Sequence, residues 1–174
     1  MGSARFSVEQ YKRPSFFMCF ETPREAIKLN DSANVSLNIK AFAGNVLNGV
    51  KVKYRVTRNA KPAFNLIRNT SFRYMPPSEI ANGELISDEQ GNCTIKFKAS
   101  PDHLIDSSVE PIYVYNISVD ATDPNGESRS GNTQFNCGYT DRYIAVTNKR
   151  TIHIDSLLNI EISLKNINDQ ALTG

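Results

Sequence analysis

The chain has no tryptophan, and only two histidines, three cysteines and three methionines among 174 residues. These scarcities narrow the chemistry. Histidine is the usual acid–base residue near neutral pH, and the two candidates are poorly placed for that work. His103 lies in the loop-like run Pro101-Asp-His-Leu104, where an exposed position is expected. His153 stands between Ile152 and Ile154, on the polar face of an expected strand. The thiols Cys19, Cys93 and Cys137 show no C-x-x-C spacing, so no metal knuckle is indicated. Each falls inside an expected strand and reads first as a small buried hydrophobe. An odd count leaves at least one thiol free; whether two of the three pair stays open.

Charge of one sign and long apolar runs are also missing. The net charge is +2, which provides neither a basic footprint for nucleic acid nor a polybasic membrane patch. The longest apolar run, Phe16 to Phe20, is far short of the ~18 residues a membrane helix needs. No G-x-S-x-G elbow, phosphate loop or H-E-x-x-H motif occurs. Asp102 and Asp106 form a carboxylate pair in a loop, but nothing fixes the separation that glycoside hydrolysis requires. The acidic crowd of Asp120, Asp123, Asn125 and Glu127 does not keep the spacing of a calcium loop. The sequons at Asn30, Asn34, Asn69, Asn92 and Asn116 carry no weight in a chain this rich in asparagine. The expectation is therefore no enzyme, with no catalytic, cofactor or metal residues.

What the chain does have is alternation. A period of two puts one set of side chains on each face of a strand. Val35, Leu37, Ile39 and Ala41 alternate with Ser36, Asn38 and Lys40. Val50, Val52, Tyr54 and Val56 alternate with Lys51, Lys53 and Arg55. Asn48-Gly49 between them suits a tight turn, because both residues accept positive φ; 33–58 thus reads as the clearest hairpin. In Gly83–Lys98 the turn Asp88-Glu-Gln-Gly91 precedes alternating Cys93, Ile95 and Phe97, read as a second half-buried hairpin with a short edge strand at Leu85-Ile86. Tyr113, Tyr115, Ile117 and Val119 mark another strand, and Asp123-Pro-Asn-Gly126 a turn in which Pro presets φ and Gly takes the left-handed position. Thr133, Phe135 and Cys137 share one face of the strand that follows.

Seven strands result, at about 14–22, 33–42, 50–58, 84–87, 92–98, 112–122 and 128–139. With no convincing amphipathic helix, they predict an all-β, antiparallel, seven-stranded sandwich of immunoglobulin or fibronectin-III-like type. The segment 59–82, with Pro62, Pro76-Pro77, Phe64, Phe72 and Tyr74, reads as a long connection crossing between sheets. Ile152, Ile154, Leu158, Ile160, Ile162 and Leu164 suggest two further strands, so residues 5–146 are expected to form the sandwich and 147–174 to begin a following, truncated β-domain. Met1-Gly2-Ser3 reads as an added start, and the chain as part of a longer protein.

One ordered set of segments goes further. Phe6-Ser-Val-Glu-Gln-Tyr-Lys-Arg-Pro-Ser-Phe16 resembles the opening of a macroglobulin-type domain in bacterial alpha-2-macroglobulins. Ala41-Phe-Ala-Gly44 with Gly49 to Arg58, then Gly83 to Phe97, then Tyr115 to Asp120, Asp123 to Glu127 and Gly138-Tyr139 resemble that domain's later strands in order. Ser163 to Asp169 resembles the entry into the next such domain. The resemblance implies an exported protein, periplasmic or at the cell surface, that traps proteases by collapsing around them after a bait is cut, in some members with a Cys–Gln thioester. That motif has Glu-Gln closely following its Cys. Here Phe-Glu follows Cys19, Thr-Ile follows Cys93 and Gly-Tyr follows Cys137, so no thioester residue carries over. The implied role is scaffold, with neighbouring macroglobulin domains as direct partners and target proteases as partners of the full-length protein. Lys61, Arg68 and Arg73 would suit a trypsin-like enzyme if 59–82 were bait, but the family's bait lies in a different domain, which favours architecture. The alternative is an adhesin or carbohydrate-binding sandwich, for which Tyr74, Tyr139 and Tyr143 are the aromatic candidates.

Overall fold

The structure, a computed structural model, describes residues 15–23, 27–61, 75–147, 161–168 and 170–172. Nine strands occur among them: β1 (Phe16–Glu21), β2 (Ser32–Ala41), β3 (Lys51–Lys61), β4 (Ser78–Ile86), β5 (Asn92–Lys98), β6 (Ile112–Thr122), β7 (Ser128–Gly138), β8 (Arg142–Thr147) and β9 (Glu161–Asn166). One short 3-10 turn spans Ser107–Val109. All strand pairs are antiparallel. A three-stranded sheet runs in the order β1-β2-β5, and a four-stranded sheet in the order β4-β3-β6-β7. These two layers make the sandwich; β8 and β9 pair with each other as a third, two-stranded sheet.

Every second residue of the inner strands enters one core. Val35, Leu37, Ile39, Ile95 and Phe97 come from the three-stranded sheet. Val52, Val56, Tyr113, Tyr115, Ile117, Val119, Phe135 and Cys137 come from the four-stranded sheet. Each large aliphatic side chain buried in this way contributes roughly 1.5–3 kcal/mol. The outward positions, among them Lys51, Lys53, Lys96 and Lys98, stay wet. The sandwich closes at β1 and β7, where a Cβ on Gly131 would stand only 3.0 Å from Met18 Cε and from the Phe20 ring.

Three expected connections are corrected. First, 33–58 is not a hairpin. β2 pairs with β1 and β5, whereas β3 pairs with β4 and β6, so the chain changes sheets between them. A two-residue period tells which face a residue shows, not which strand lies alongside. Both strands point apolar residues at one core from opposite layers. Second, the stretch from Leu85-Ile86 to Lys98 also changes sheets, because β4 and β5 lie in different layers. The Asp88–Gly91 turn does form, with the Gly91 N–H donating to Asp88 O at 3.0 Å. The two crossings are stitched together at Ser87. Its hydroxyl donates to Leu47 O (2.9 Å) and accepts from Val50 N (3.0 Å), while Gly49 N donates to Ser87 O (3.1 Å). Third, the 59–82 segment does not cross sheets: β3 and β4 are antiparallel neighbours, and Asn59–Lys61 and Ser78–Asn82 belong to them. Its aromatics Phe64, Phe72 and Tyr74 lie outside the described residues. β4 is an edge strand as expected, but longer; its register slips by one residue at Ile80, a bulge that blunts the edge.

The β6–β7 hairpin forms as read. Gly126, at φ 83°, donates to Asp123 O at 3.0 Å, and the Asp123 carboxylate accepts from Asn125 N (2.9 Å) and Glu127 N (2.8 Å). Asp88 repeats this pattern on Gln90 N and Asn92 N, and Asn166 Oδ1 repeats it on Asn168 N and Gln170 N. A short acceptor side chain folding back on its own loop is what an Asx turn supplies.

Candidate functional site

Three places among the described residues concentrate polar chemistry. The first sits at the end of the sandwich where the β5–β6 connection folds over β3. Arg58, near the end of β3, reaches into that loop. Its Nη1 donates to Ser100 O (3.0 Å) and Pro101 O (2.6 Å), and its Nη2 to Ser78 Oγ (3.2 Å) and Asp102 Oδ2 (2.7 Å). The guanidinium also lies 5.8 Å from the Tyr113 ring centroid. Tyr115 donates from its hydroxyl to Ser100 O at 2.9 Å, and its ring stacks on Phe135 with centroids 5.4 Å apart. Burial pushes both tyrosine hydroxyls above their ordinary range. Arginine suits this task because its planar fork holds several fixed acceptors at once. Both Nη groups meet carbonyls, a hydroxyl or a carboxylate of the fold itself, so the cluster is a clamp on the loop.

The second place is a groove of about 850 Å³ beside the ends of β1 and β2, lined in part by Glu21, Lys28, Asp31, Asn34, Ser36 and Gln170. It holds hydroxyls and carboxylates, but no histidine or cysteine is among its lining residues. The third place is the contact between the turn after β9 and the end of β7, where Asn136, Ile167 and Asn168 meet.

The residues singled out in the sequence are scattered over the structure. His103 is exposed, and His153 lies outside the described residues. Asp102 is engaged by Arg58, while Asp106 caps the 3-10 turn, its carboxyl held below the usual range by the Ser108 N–H. Asp120 accepts from Ser130 Oγ, and Asp123, 6% exposed, is taken up by the amides of its own turn. The Glu127 carboxylate accepts from both Ser15 N (2.9 Å) and Ser15 Oγ (2.8 Å), which pins the start of β1 to the β6–β7 turn. The calcium reading thus meets carboxylates already used by backbone and hydroxyl donors. All three cysteines are free. Cys93 and Cys137 are buried, and burial pushes their thiols up to about 11 and about 12; Cys137 also contacts Ile27 O at 3.0 Å. Cys19 departs from the buried reading: it is exposed on edge strand β1, where alternation turns it outward between Met18 and Phe20. Tyr139 is exposed, Tyr143 is half-buried, and Tyr74 lies outside the described residues, as do Arg68 and Arg73. Arg58 and the Asn136 contact were missed, because each depends on a loop or strand more than 30 residues away.

No family model matches the chain, and no curated protein matches it. Solved structures do. Trypsin-activated alpha-2-macroglobulin from Escherichia coli is similar over 91% of this chain and 12% of its own, with 8% identity and a TM-score of 0.59. The native conformation of that protein is similar over 94% of this chain and 11% of its own, with 7% identity and a TM-score of 0.60. Salmonella alpha-2-macroglobulin reacted with methylamine gives 93%, 12%, 9% and 0.61 in the same order. The chain therefore spans about an eighth of the length of the structures it matches. At this level of identity the likeness is one of fold: the β-sandwich is of the kind these macroglobulins contain.

Proposed function

We propose that this chain is a non-catalytic structural domain of a bacterial alpha-2-macroglobulin-like protease inhibitor, one bead in a longer array that rearranges around a captured protease. The observation that carries this reading is the shared fold. It covers 91–94% of the chain, more than the sandwich alone occupies, in structures of native, trypsin-activated and methylamine-reacted molecules. The ordered sequence resemblance from Phe6 to Tyr139 supports it independently. So does the character of the polar clusters, whose donors and acceptors hold the fold together.

On this reading the β8–β9 sheet opens the next β-domain, neighbouring macroglobulin domains are the direct partners, and proteases are partners of the full-length protein. The protein works after export, in the periplasm or at the cell surface. Small-angle scattering of the full-length protein before and after limited trypsin cleavage tests the proposal. A smaller radius of gyration, with trypsin retained in the particle, is the expected result. Cleavage that leaves the radius unchanged and releases trypsin contradicts it.

A further inference from the structure

β7 is the outer strand of its sheet, bridged only at Gly138 by Lys28 among the described residues, and an edge strand presents N–H groups in need of acceptors. Here the acceptor comes from the other sheet. Asn136 N donates to Asn168 Oδ1 at 2.8 Å, and Asn136 Nδ2 donates to Ile167 O at 3.0 Å. Ile167 N donates to Asp141 O at 3.0 Å. The Ile167 side chain is 8% exposed, and its Cδ1 comes so close to Gly138 that a Cβ there would meet it at 2.7 Å. Two hydrogen bonds and one buried aliphatic plug therefore join Asn136 and Gly138 to Ile167 and Asn168, while the Ile167–Asp141 bond continues the β8–β9 ladder. The turn that presents the plug is itself fixed, since Asn166 Oδ1 accepts from Asn168 N (3.0 Å) and Gln170 N (2.9 Å).

We propose that this contact is a rigid joint: the turn after β9 is an interaction surface whose partner is the edge of β7, and it locks the β8–β9 sheet to the sandwich. The two sheets are also linked by only three residues between Gly138 and Arg142, too short a tether to permit wide excursions. Rotation of the second sheet would expose a buried isoleucine and leave the Asn136 N–H unmatched, and both costs oppose it. A long array built from such units would bend at other junctions, with this one moving as a single body. The inference rests on contacts within this chain and stands apart from the proposed function.

Residual dipolar couplings of the 174-residue chain test it. A single alignment tensor fitting the amides of β2, β3, β6 and β7 together with those of β8 and β9 is the expected result. Two tensors in the unmodified chain overturn the proposal without recourse to any variant. Ile167→Asp should split the single tensor into two while the sandwich amides keep their chemical shifts; a tensor that stays single, with unchanged orientation, contradicts the joint. Asn168→Ala is the milder probe. It should speed hydrogen exchange at the Asn136 amide about tenfold, and an unchanged rate shows that the side chain does not hold that edge.

Discussion

Arg58 and Asp102 meet at 2.7 Å with side chains only 12% and 16% exposed, and they join β3 to a loop 44 residues further along. The other ion pairs on β3, Lys53–Glu84 and Arg55–Glu79, lie on the wet face, where such contacts are worth little. Glu79 is held below its ordinary range chiefly by Asn82 and then by Arg55.

Removing Arg58 should therefore destabilise far more than removing Arg55. Arg58→Ala strands the Asp102 carboxylate and two carbonyls, and a loss of about 3 kcal/mol is expected. Arg55→Ala should cost less than about 1 kcal/mol. Arg58→Lys should rescue only part of the loss, because an ammonium cannot fork across Pro101 and Asp102. Urea denaturation followed by circular dichroism measures all three.

The glycine of the Asp88 turn has a sharper requirement than its neighbour in the β2–β3 connection. Gly91 has φ 72° and a would-be Cβ 2.5 Å from Ile39 O; Gly44 has φ 91° but open space around it. Gly44→Ala should cost about 1 kcal/mol from backbone conformation alone. Gly91→Ala should cost clearly more, because a backbone carbonyl must move as well. Equal losses in paired denaturation curves would show that the close approach is unimportant.

The thiols should divide two to one. Cys19 is exposed and should react with a thiol-specific chromogenic disulfide in the native protein. Cys93 and Cys137 should react only on unfolding. One equivalent released at once and two more in denaturant is the expected stoichiometry.

Stability should also fall at alkaline pH. The folded state holds the Cys93 and Cys137 protons up to about 11 and about 12, whereas an unfolded thiol loses its proton near ~8.5. Stability from this source is complete below the unfolded value and declines as pH rises toward the folded values. The limiting slope is about 1.4 kcal/mol per pH unit for each thiol. Denaturation midpoints from pH 7 to 10.5 measure it, and Cys137→Ala should flatten the curve.

Much of the fold could be read in the residues, for a definite reason. β5 and β6 match the expected 92–98 and 112–122 to the residue, because alternation there is strict and turn residues bound each end. Pairing was harder to read. Val35 to Ala41 and Val50 to Val56 face a common core from opposite layers, a relation with the same periodicity as a hairpin. The first half of β4 was hidden because Glu79, Asn82 and the bulge at Ile80 break the alternation of an edge strand. β8 was not expected, since Arg142 to Thr147 follows β7 closely and its partner β9 arrives only at Glu161. Arg58 has the inward parity of Val52 and Val56, but nothing in the sequence says that the 99–106 loop closes over it.

The most direct measurement is an assay of trypsin mixed with the full-length protein, on casein and on a small chromogenic peptide in parallel. Capture within a collapsed array should abolish cleavage of the bulky substrate and spare that of the small one, while the 174-residue chain alone leaves both untouched. Equal activity on casein with and without the full-length protein would contradict the assignment of this sandwich to a protease trap.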